Sequence, residues 1–446
     1  MQVVEIQARP LAALAELLEP ARAERFLAAA VRARAALAGR VVWNVNSTAS
    51  GGGVAEMLQT MLAYARGAEV DTRWLVIQGD KSFFEITKAI HNALHGALVG
   101  RPGFGPQDRD HYEHVMQANL EQLRGLVRPG DFVLLHDPQT AGLAAGLRQL
   151  GAHVVWRCHI GRDEPNESTE LGWEFLREYV LAADAFVFSR ASYVPAWVPA
   201  DRTVVIQPSI DPYSTKNRPM DQRQTRRVLL EVGLAHNSWE PDGIRFHRRA
   251  GRQGVLRRHA DLVTNAPPPI GAPLVVQVSR WDRLKDMTGV LRGFAEHVAP
   301  LLPDAHLMLA GPAVTGVTDD PEGAIVYGEC RAVWEATPEA VRRRCHLATL
   351  PMDDVDENAF IVNALQRHAT VVVQKSLAEG FGLTLTEALW KARPVVASGV
   401  GGIRDQVTDG TEGFLLEDPA DLARFGARVV ELLQDPGLRA SMGGRG

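Results

Sequence analysis

Two carboxylates, Glu379 and Glu387, stand eight residues apart between Ser376 and Trp390. Glu379 precedes Gly380-Phe381-Gly382, and Glu387 falls about one turn inside a helical pattern that opens with Leu383-Thr384. A helix start presents free amides, so Gly382, Leu383 and Thr384 can hold a diphosphate while the carboxylates accept hydrogen bonds from hydroxyls on either side of it. A sugar and a ribose flanking a pyrophosphate suit that spacing. The plainer alternative makes Glu387 a surface helix residue and Glu379 a cap. Upstream, the apolar run Leu274 to Val278 is followed by Ser279-Arg280-Trp281-Asp282-Arg283-Leu284-Lys285. Arg280 and Lys285 at the carboxyl end of a strand form a plausible clamp on a diphosphate, the alternative being a solvated loop.

The first half offers a weaker set. A run ending in Asn46-Ser47-Thr48 leads to Gly51-Gly52-Gly53 and then to a helical pattern from Val54 to Ala65. Three glycines let backbone approach a ligand, and the amides that follow favour an anion or a polar sugar edge. The pattern is not GxGxxG and no acidic residue is placed for the ribose of NAD, so a purely structural turn is an equal alternative. Arg157-Cys158-His159 ends another run and sets an imidazole at the same kind of edge, where a structural histidine is the commoner case.

These residues need strands to position them. Short β-branched runs alternate with helical patterns: Val41 to Asn46, Trp74 to Ile77, Phe132 to His136, Val154 to Cys158, Phe186 to Phe188 and Val204 to Gln207. The rhythm restarts with Leu274 to Ser279, His306 to Ala310, Cys345 to Ala348, Thr370 to Gln374 and Val395 to Ser398. Two doubly wound α/β domains with parallel sheets follow. The expected division is 1–212, with an N-terminal helical extension, and 213–446, with a junction and hinge near Ile210 to Pro219. Between the series, 221–273 shows no convincing strand and reads as an Arg-rich helical insertion. Its nine arginines against four acids from Asp221 to Arg258 read as a solvated face.

Composition narrows the function. A chain of 446 residues that is 46% apolar can fill more than one core, and a net charge of −5 gives no bulk attraction for nucleic acid. Cys158, Cys330 and Cys345, odd in number and without CxxC spacing, suggest neither disulfides nor a cysteine zinc site, which fits a reduced cytoplasm. Charges interrupt the Ala- and Leu-rich first forty residues, which read as a surface helix. No stretch approaches the roughly 18 to 20 uncharged apolar residues of a membrane span.

Arg280 with Lys285, and Glu379 to Glu387 as Glu-x7-Glu, resemble the donor-binding signature of retaining glycosyltransferase family 4, which has the GT-B fold of two Rossmann-like domains facing across a deep cleft. The resemblance extends to the trehalose glycosyltransferring synthases through Val45-Asn-Ser-Thr, Gly51-Gly-Gly-Val-Ala-Glu56, Phe83-Phe84, Thr87-Lys88, His91-Asn92, His136-Asp-Pro-Gln139, Arg157-Cys-His-Ile160 and Pro208-Ser-Ile-Asp-Pro212, and spans roughly residues 41 to 435.

That resemblance implies transfer of glucose from a nucleoside diphosphate glucose (NDP-glucose) to the anomeric hydroxyl of free glucose, giving α,α-trehalose with retention. Arg280 and Lys285 would neutralise the departing diphosphate, Glu379 would hold donor-sugar hydroxyls, Glu387 the ribose, and the amides of Gly382 to Thr384 the phosphates. His159 would approach the donor glucose from the opposite domain. Asn46, Gly51, Gly52, Gly53, Asp137, Gln139 and Arg157 would shape the acceptor side. No metal and no cofactor would be required beyond the NDP-glucose co-substrate. The partners expected are small-molecule substrates, with no nucleic acid or membrane and with a homodimer left open. A retaining trehalose phosphorylase, a non-hydrolysing sugar-nucleotide epimerase and a non-catalytic nucleotide-sugar sensor are the alternatives. The donor base is not legible; Leu350-Pro-Met-Asp353 is expected to meet it mostly through backbone. Two departures from the family are the length of 221–273 and an end at Gly446 where such proteins continue into a terminal helix.

Overall fold

The computed structural model describes all residues except 50–52, 99, 238–242, 249–251, 265 and 315–321. The chain divides into two compact units, Met1–Pro208 and Ser209–Gly446.

The first unit holds a seven-stranded sheet of order β1-β3-β2-β4-β5-β6-β7. Its strands are β1 (Gln2–Val4), β2 (Val42–Asn46), β3 (Thr72–Val76), β4 (Phe132–His136), β5 (His153–Cys158), β6 (Ala185–Phe188) and β7 (Thr203–Val205). All neighbours pair in parallel except β1 with β3. Helices such as Gly53–Gly67 and Lys81–Leu94 cover the sheet, the latter started by the Asp80 carboxylate accepting from the Phe83 amide at 2.8 Å. Trp74, Trp156, Phe186 and Phe188 fill the two layers of core between sheet and helices.

The second unit comprises β8 (Arg245–His247), β9 (Gln253–Val255), β10 (Asp261–Val263), β11 (Leu274–Val278), β12 (His306–Pro312), β13 (Cys345–Leu350), β14 (Val371–Gln374), β15 (Val395–Ser398) and β16 (Gly413–Leu416). Seven of these form a sheet of order β10-β13-β12-β11-β14-β15-β16, parallel except for β10. The central strands are buried along their whole length, as the continuous apolar runs require. Two doubly wound sheets are therefore present. In each, the first parallel strand sends its successor to one side and a later strand to the other, so the order reverses between β2 and β4 and between β11 and β14. Ligands of such sheets bind beyond the strand ends at these reversal points.

The structure departs from the sequence-based expectations in several places. The first forty residues include strand β1 on the sheet edge ahead of the exposed helix Pro20–Ala36. Among the described residues of 221–273, the helix is confined to Gln222–Glu231; β8 and β9 pair antiparallel, and β10 extends the main sheet antiparallel to β13. Strand β16 also closes a sheet edge that the sequence pattern did not reveal. These strands are three or four residues long, too short for a period-2 signal, and their strand state comes from pairing with a neighbour. Nor is the Arg-rich face wholly solvated. Arg248 pairs with Asp354 at 2.6 Å, and Arg258 pairs with the buried Glu357 at 2.5 Å, fixing the start of helix Val355–His368. Helix Pro436–Arg445 packs Met442 into the second unit's core. Among the described residues, no helix is long and apolar enough to cross a membrane.

Candidate active site

The second unit assembles its ionic residues at the β11/β14 reversal. Beyond β11 the chain forms a tight turn at Arg283–Lys285, in which the Asp282 carboxylate accepts from the Leu284 amide at 2.8 Å. Asp286 follows in the left-handed region at φ 46° and caps helix Met287–Gly293. Its carboxylate also pairs with Lys375, a fully buried lysine just beyond β14. The two loops are stitched together by the Leu377 amide donating to the Leu284 carbonyl at 2.8 Å. Lys285 is thereby set against Glu379: its Nζ donates to both carboxylate oxygens, each at 2.8 Å. Glu379 also accepts from Ser376 Oγ at 3.2 Å and Gln374 Nε2 at 3.4 Å. Arg280 stands on the same loop as Lys285, half-buried, 3.6 Å from the Asp282 carboxylate.

Gly382 sits at φ 89°, where a side chain is strained, and begins helix Leu383–Trp390. Gly380 and Phe381 are held from behind, since Gly402 N donates to the Gly380 carbonyl at 3.2 Å and Gln406 Nε2 donates to the Phe381 carbonyl. A Cβ on Gly402 would lie 2.6 Å from Phe381 Cα, so glycine is required for that approach. Thr384 Oγ1 donates to Gln374 Oε1 at 3.1 Å, which ties the helix start to β14. Glu387 is buried rather than on the surface. Lys216 Nζ lies 2.9 Å from its Oε1, and Gln366 Nε2 donates to its Oε2 at 3.4 Å. Behind it the buried Lys391 donates to Gln366 Oε1 at 2.7 Å and to Asn217 Oδ1 at 2.9 Å. The surface-residue alternative for Glu387 thus falls.

In the first unit, the predicted residues gather at the β2/β4 reversal and the neighbouring end of β5. Asn46 is buried, accepting from Trp74 Nε1 at 2.7 Å and donating to the Thr48 carbonyl at 2.7 Å. Gly51 and Gly52 lie outside the described residues, while Gly53 opens helix Gly53–Gly67. Asp137 follows β4 at φ 63°, an unusual conformation for a residue with a side chain. Its Oδ1 accepts from the His159 amide at 2.8 Å, which fixes the end of β5. Gln139 stands half-buried in the turn Pro138–Leu143 that begins right after Asp137. Arg157 is buried on β5, and its Nε, itself buried, has no hydrogen-bond partner among the described residues. His159 Nε2 lies 3.1 Å from His136 Nδ1, the two rings stacked.

Burial dominates the electrostatics of this edge. It holds His136 down at about 3, with Arg157 acting in the same direction. His159 is depressed well below its ordinary value by burial, then by Arg157 and His136. Burial lifts the Asp137 carboxyl to about 7 against the opposing pull of the His159 amide and Arg157. Both imidazoles are therefore neutral at pH 7, suited to hydrogen bonding with hydroxyls rather than to neutralising phosphate.

Chemically, the second unit offers a guanidinium, an ammonium and a helix start, the groups that grip a diphosphate, beside a carboxylate for hydroxyls. The first unit offers neutral polar groups at a strand edge, which suit sugar hydroxyls. Sequence reasoning missed Lys216, Lys375, Asp286, Gln366 and Gln406, which hold these groups in place. One signal was available: polar residues inside strands that are otherwise apolar, such as Gln277 in β11, Gln374 in β14 and Asn44 in β2.

Comparison with known proteins finds a separate family match in each unit. Residues 44–195 match the family described as trehalose synthase, N-terminal domain, and residues 265–446 match glycosyl transferases group 1. The trehalose synthase of Pyrococcus horikoshii is 32% identical over 92% of this chain and 85% of its own length. That of Rubrobacter xylanophilus is 33% identical over 92% and 86%. A trehalose phosphorylase of Pleurotus sajor-caju is 26% identical over 83% of this chain but only 50% of its own. Among solved structures, an α,α-trehalose-phosphate synthase (UDP-forming) from Burkholderia xenovorans superposes with a TM-score of 0.65 at 14% identity, covering 91% of this chain and 95% of that one, so the fold is shared. With two Rossmann-like sheets of the GT-B class and a third of its residues in common with those synthases along most of both chains, this protein belongs to the trehalose synthase family of glycosyltransferases.

Proposed function

We propose that the protein is a retaining glucosyltransferase that moves glucose from NDP-glucose to free glucose, releasing NDP and α,α-trehalose. The observation that carries this reading is the Lys285–Glu379 pair beside Arg280 and the helix start at Gly382, placed by the β11/β14 reversal. The bond from the donor anomeric carbon to the β-phosphate oxygen breaks. Positive charge builds on the sugar and negative charge on the leaving oxygen. Arg280, Lys285 and the amides of Leu383 and Thr384 stabilise the latter more in the transition state than in the ground state. The acceptor's anomeric oxygen bonds to the same face of that carbon and passes its proton to the departing phosphate. Glu379 orients the donor sugar and Glu387 the ribose, while Asn46, Gly53, Asp137, Gln139, Arg157 and His159 serve sugar hydroxyls. No metal enters this scheme, and NDP-glucose is the only co-substrate.

The test is a screen of UDP-, ADP-, GDP- and TDP-glucose with free glucose, read by product chromatography and NDP release. Trehalose with stoichiometric NDP from at least one donor supports the proposal. The similarity to trehalose phosphorylases motivates a parallel assay with trehalose and inorganic phosphate. Turnover needing only those two would overturn the synthase reading.

A further inference from the structure

Four polar side chains, Thr72, Asn44, His136 and His159, run in sequence through the interior of the first unit, all of them buried. Next to them lies an apolar cluster of Trp74 and Val76 from β3 with Leu58 and Leu62 from helix Gly53–Gly67. Polar groups in such a layer cost stability unless each is satisfied, so their continuity points to a use.

The direction of every bond in the row is fixed from one end. Thr72 Oγ1 lies 3.0 Å from the Val42 carbonyl, which can only accept, so the hydroxyl spends its single proton there. Toward Asn44 the same oxygen can then only accept, which places Asn44 Nδ2 against it at 3.3 Å. Asn44 Oδ1 must in turn face His136 Nε2 at 3.1 Å and accept from it. With the His136 proton on Nε2, its Nδ1 is a bare lone pair. It can accept only a proton carried on His159 Nε2, 3.1 Å away.

We infer that Thr72, Asn44 and His136 are positioning residues whose one-way hydrogen-bond chain holds His159 as the Nε2–H tautomer, with a bare Nδ1 that accepts a hydrogen bond from a sugar hydroxyl. The functional half of the inference rests on the assignment of His159 to the substrate sugar made above; the tautomer does not. Moving the His159 proton to Nδ1 would set two lone pairs against each other across the His136 contact. Relief would require His136 to shift its proton, Asn44 to turn over and Thr72 to withdraw its hydroxyl from the Val42 carbonyl. One displacement must propagate through all four residues, so the least polar-looking member, Thr72, governs a ring at the far end of the row.

The experiment uses ligand-free full-length protein labelled with 15N-histidine. Two-bond proton–nitrogen correlations separate the two neutral tautomers, and the His159 signals are assigned by their loss in His159→Gln. The wild type should show His136 and His159 each as the single Nε2–H form. Thr72→Val, which keeps the shape and removes the hydroxyl, should give a mixture at His159 and lower kcat for transfer about tenfold while donor KM stays within about twofold. Thr72→Ser should restore both the spectrum and kcat. A wild-type His159 found as the Nδ1–H form or as a mixture, or a Thr72→Val spectrum unchanged from wild type, would overturn the chain. A wild type that shows the stated tautomers but makes no trehalose from any NDP-glucose supports the chain and sinks the proposed function instead.

Discussion

At the scale of single residues, the second unit's site divides into groups proposed to meet the donor and groups that hold them in place. Glu379→Ala or Lys285→Ala should abolish transfer, a loss of several kcal/mol in transition-state stabilisation or on the order of a thousandfold in kcat/KM, while far-ultraviolet circular dichroism stays that of a folded chain. Near-normal rates in both variants would refute the assignment. Arg280→Lys should cost about tenfold or more, because a point charge replaces a planar fork, and progress curves with the preferred donor would measure it. The candidate site residues were legible from sequence where they follow strand ends, since a strand, a loop and a helix start are all local patterns. Their supports were not. Lys216 reaches Glu387, and Lys375 reaches Asp286, across long stretches of chain, so nothing near either carboxylate announces its partner.

At the scale of elements, the loop Glu379–Gly382 has its shape imposed from behind by the short turn Gly401–Asp405. Gly402→Ala should push the Phe381 backbone away, lowering the melting temperature and raising donor KM several-fold with a smaller effect on kcat; thermal denaturation and initial rates would check this. An unchanged KM would mean that the loop position is not part of donor binding. The strands that sequence reasoning identified carry runs of β-branched or aromatic residues, most of them buried, that mark them without context; even the three-residue, largely exposed β7 is such a run. Those it missed, β1, β8, β9, β10 and β16, are three- and four-residue pieces. In β8 and β9, exposed Arg245, His247, Gln253 and Val255 flank single buried residues, a pattern that any polar loop shares. Only the partner strand decides between the two.

At the scale of the molecule, buried imidazoles make stability depend on pH. Burial holds His136 and His346 at about 3 and His306 and His368 at about 4, so the folded chain keeps them neutral while the unfolded chain protonates them near 6.5. Their contribution is complete above pH 6.5 and is lost as pH falls through the window down to those values. Each deeply buried ring contributes about 2 kcal/mol to the loss by pH 5. Asp137 acts with the opposite sign: lifted to about 7, it favours the folded state as pH falls from about 7 toward its ordinary value of 3.8. One carboxyl does not offset several histidines. Calorimetry from pH 7.5 to 5 should therefore show a falling melting temperature, and a flat or rising profile would contradict the neutral-histidine picture.

The segment just after Pro208 has a practical consequence at this same scale. Asn217 and Arg218 supply carbonyls to Arg367, Thr215 and Arg218 supply them to Asn363, and Lys216 faces Glu387. Anyone expressing the second unit by itself would be tempted to trim away everything before the visible helix at Gln222. That shorter product would take Lys216 away from the buried Glu387 and Asn217 away from the buried Lys391 and should come out insoluble. Starting seven or more residues earlier than Lys216, at Ser209, should give a fragment that folds, and the pair of fragments run side by side on a sizing column would tell the difference.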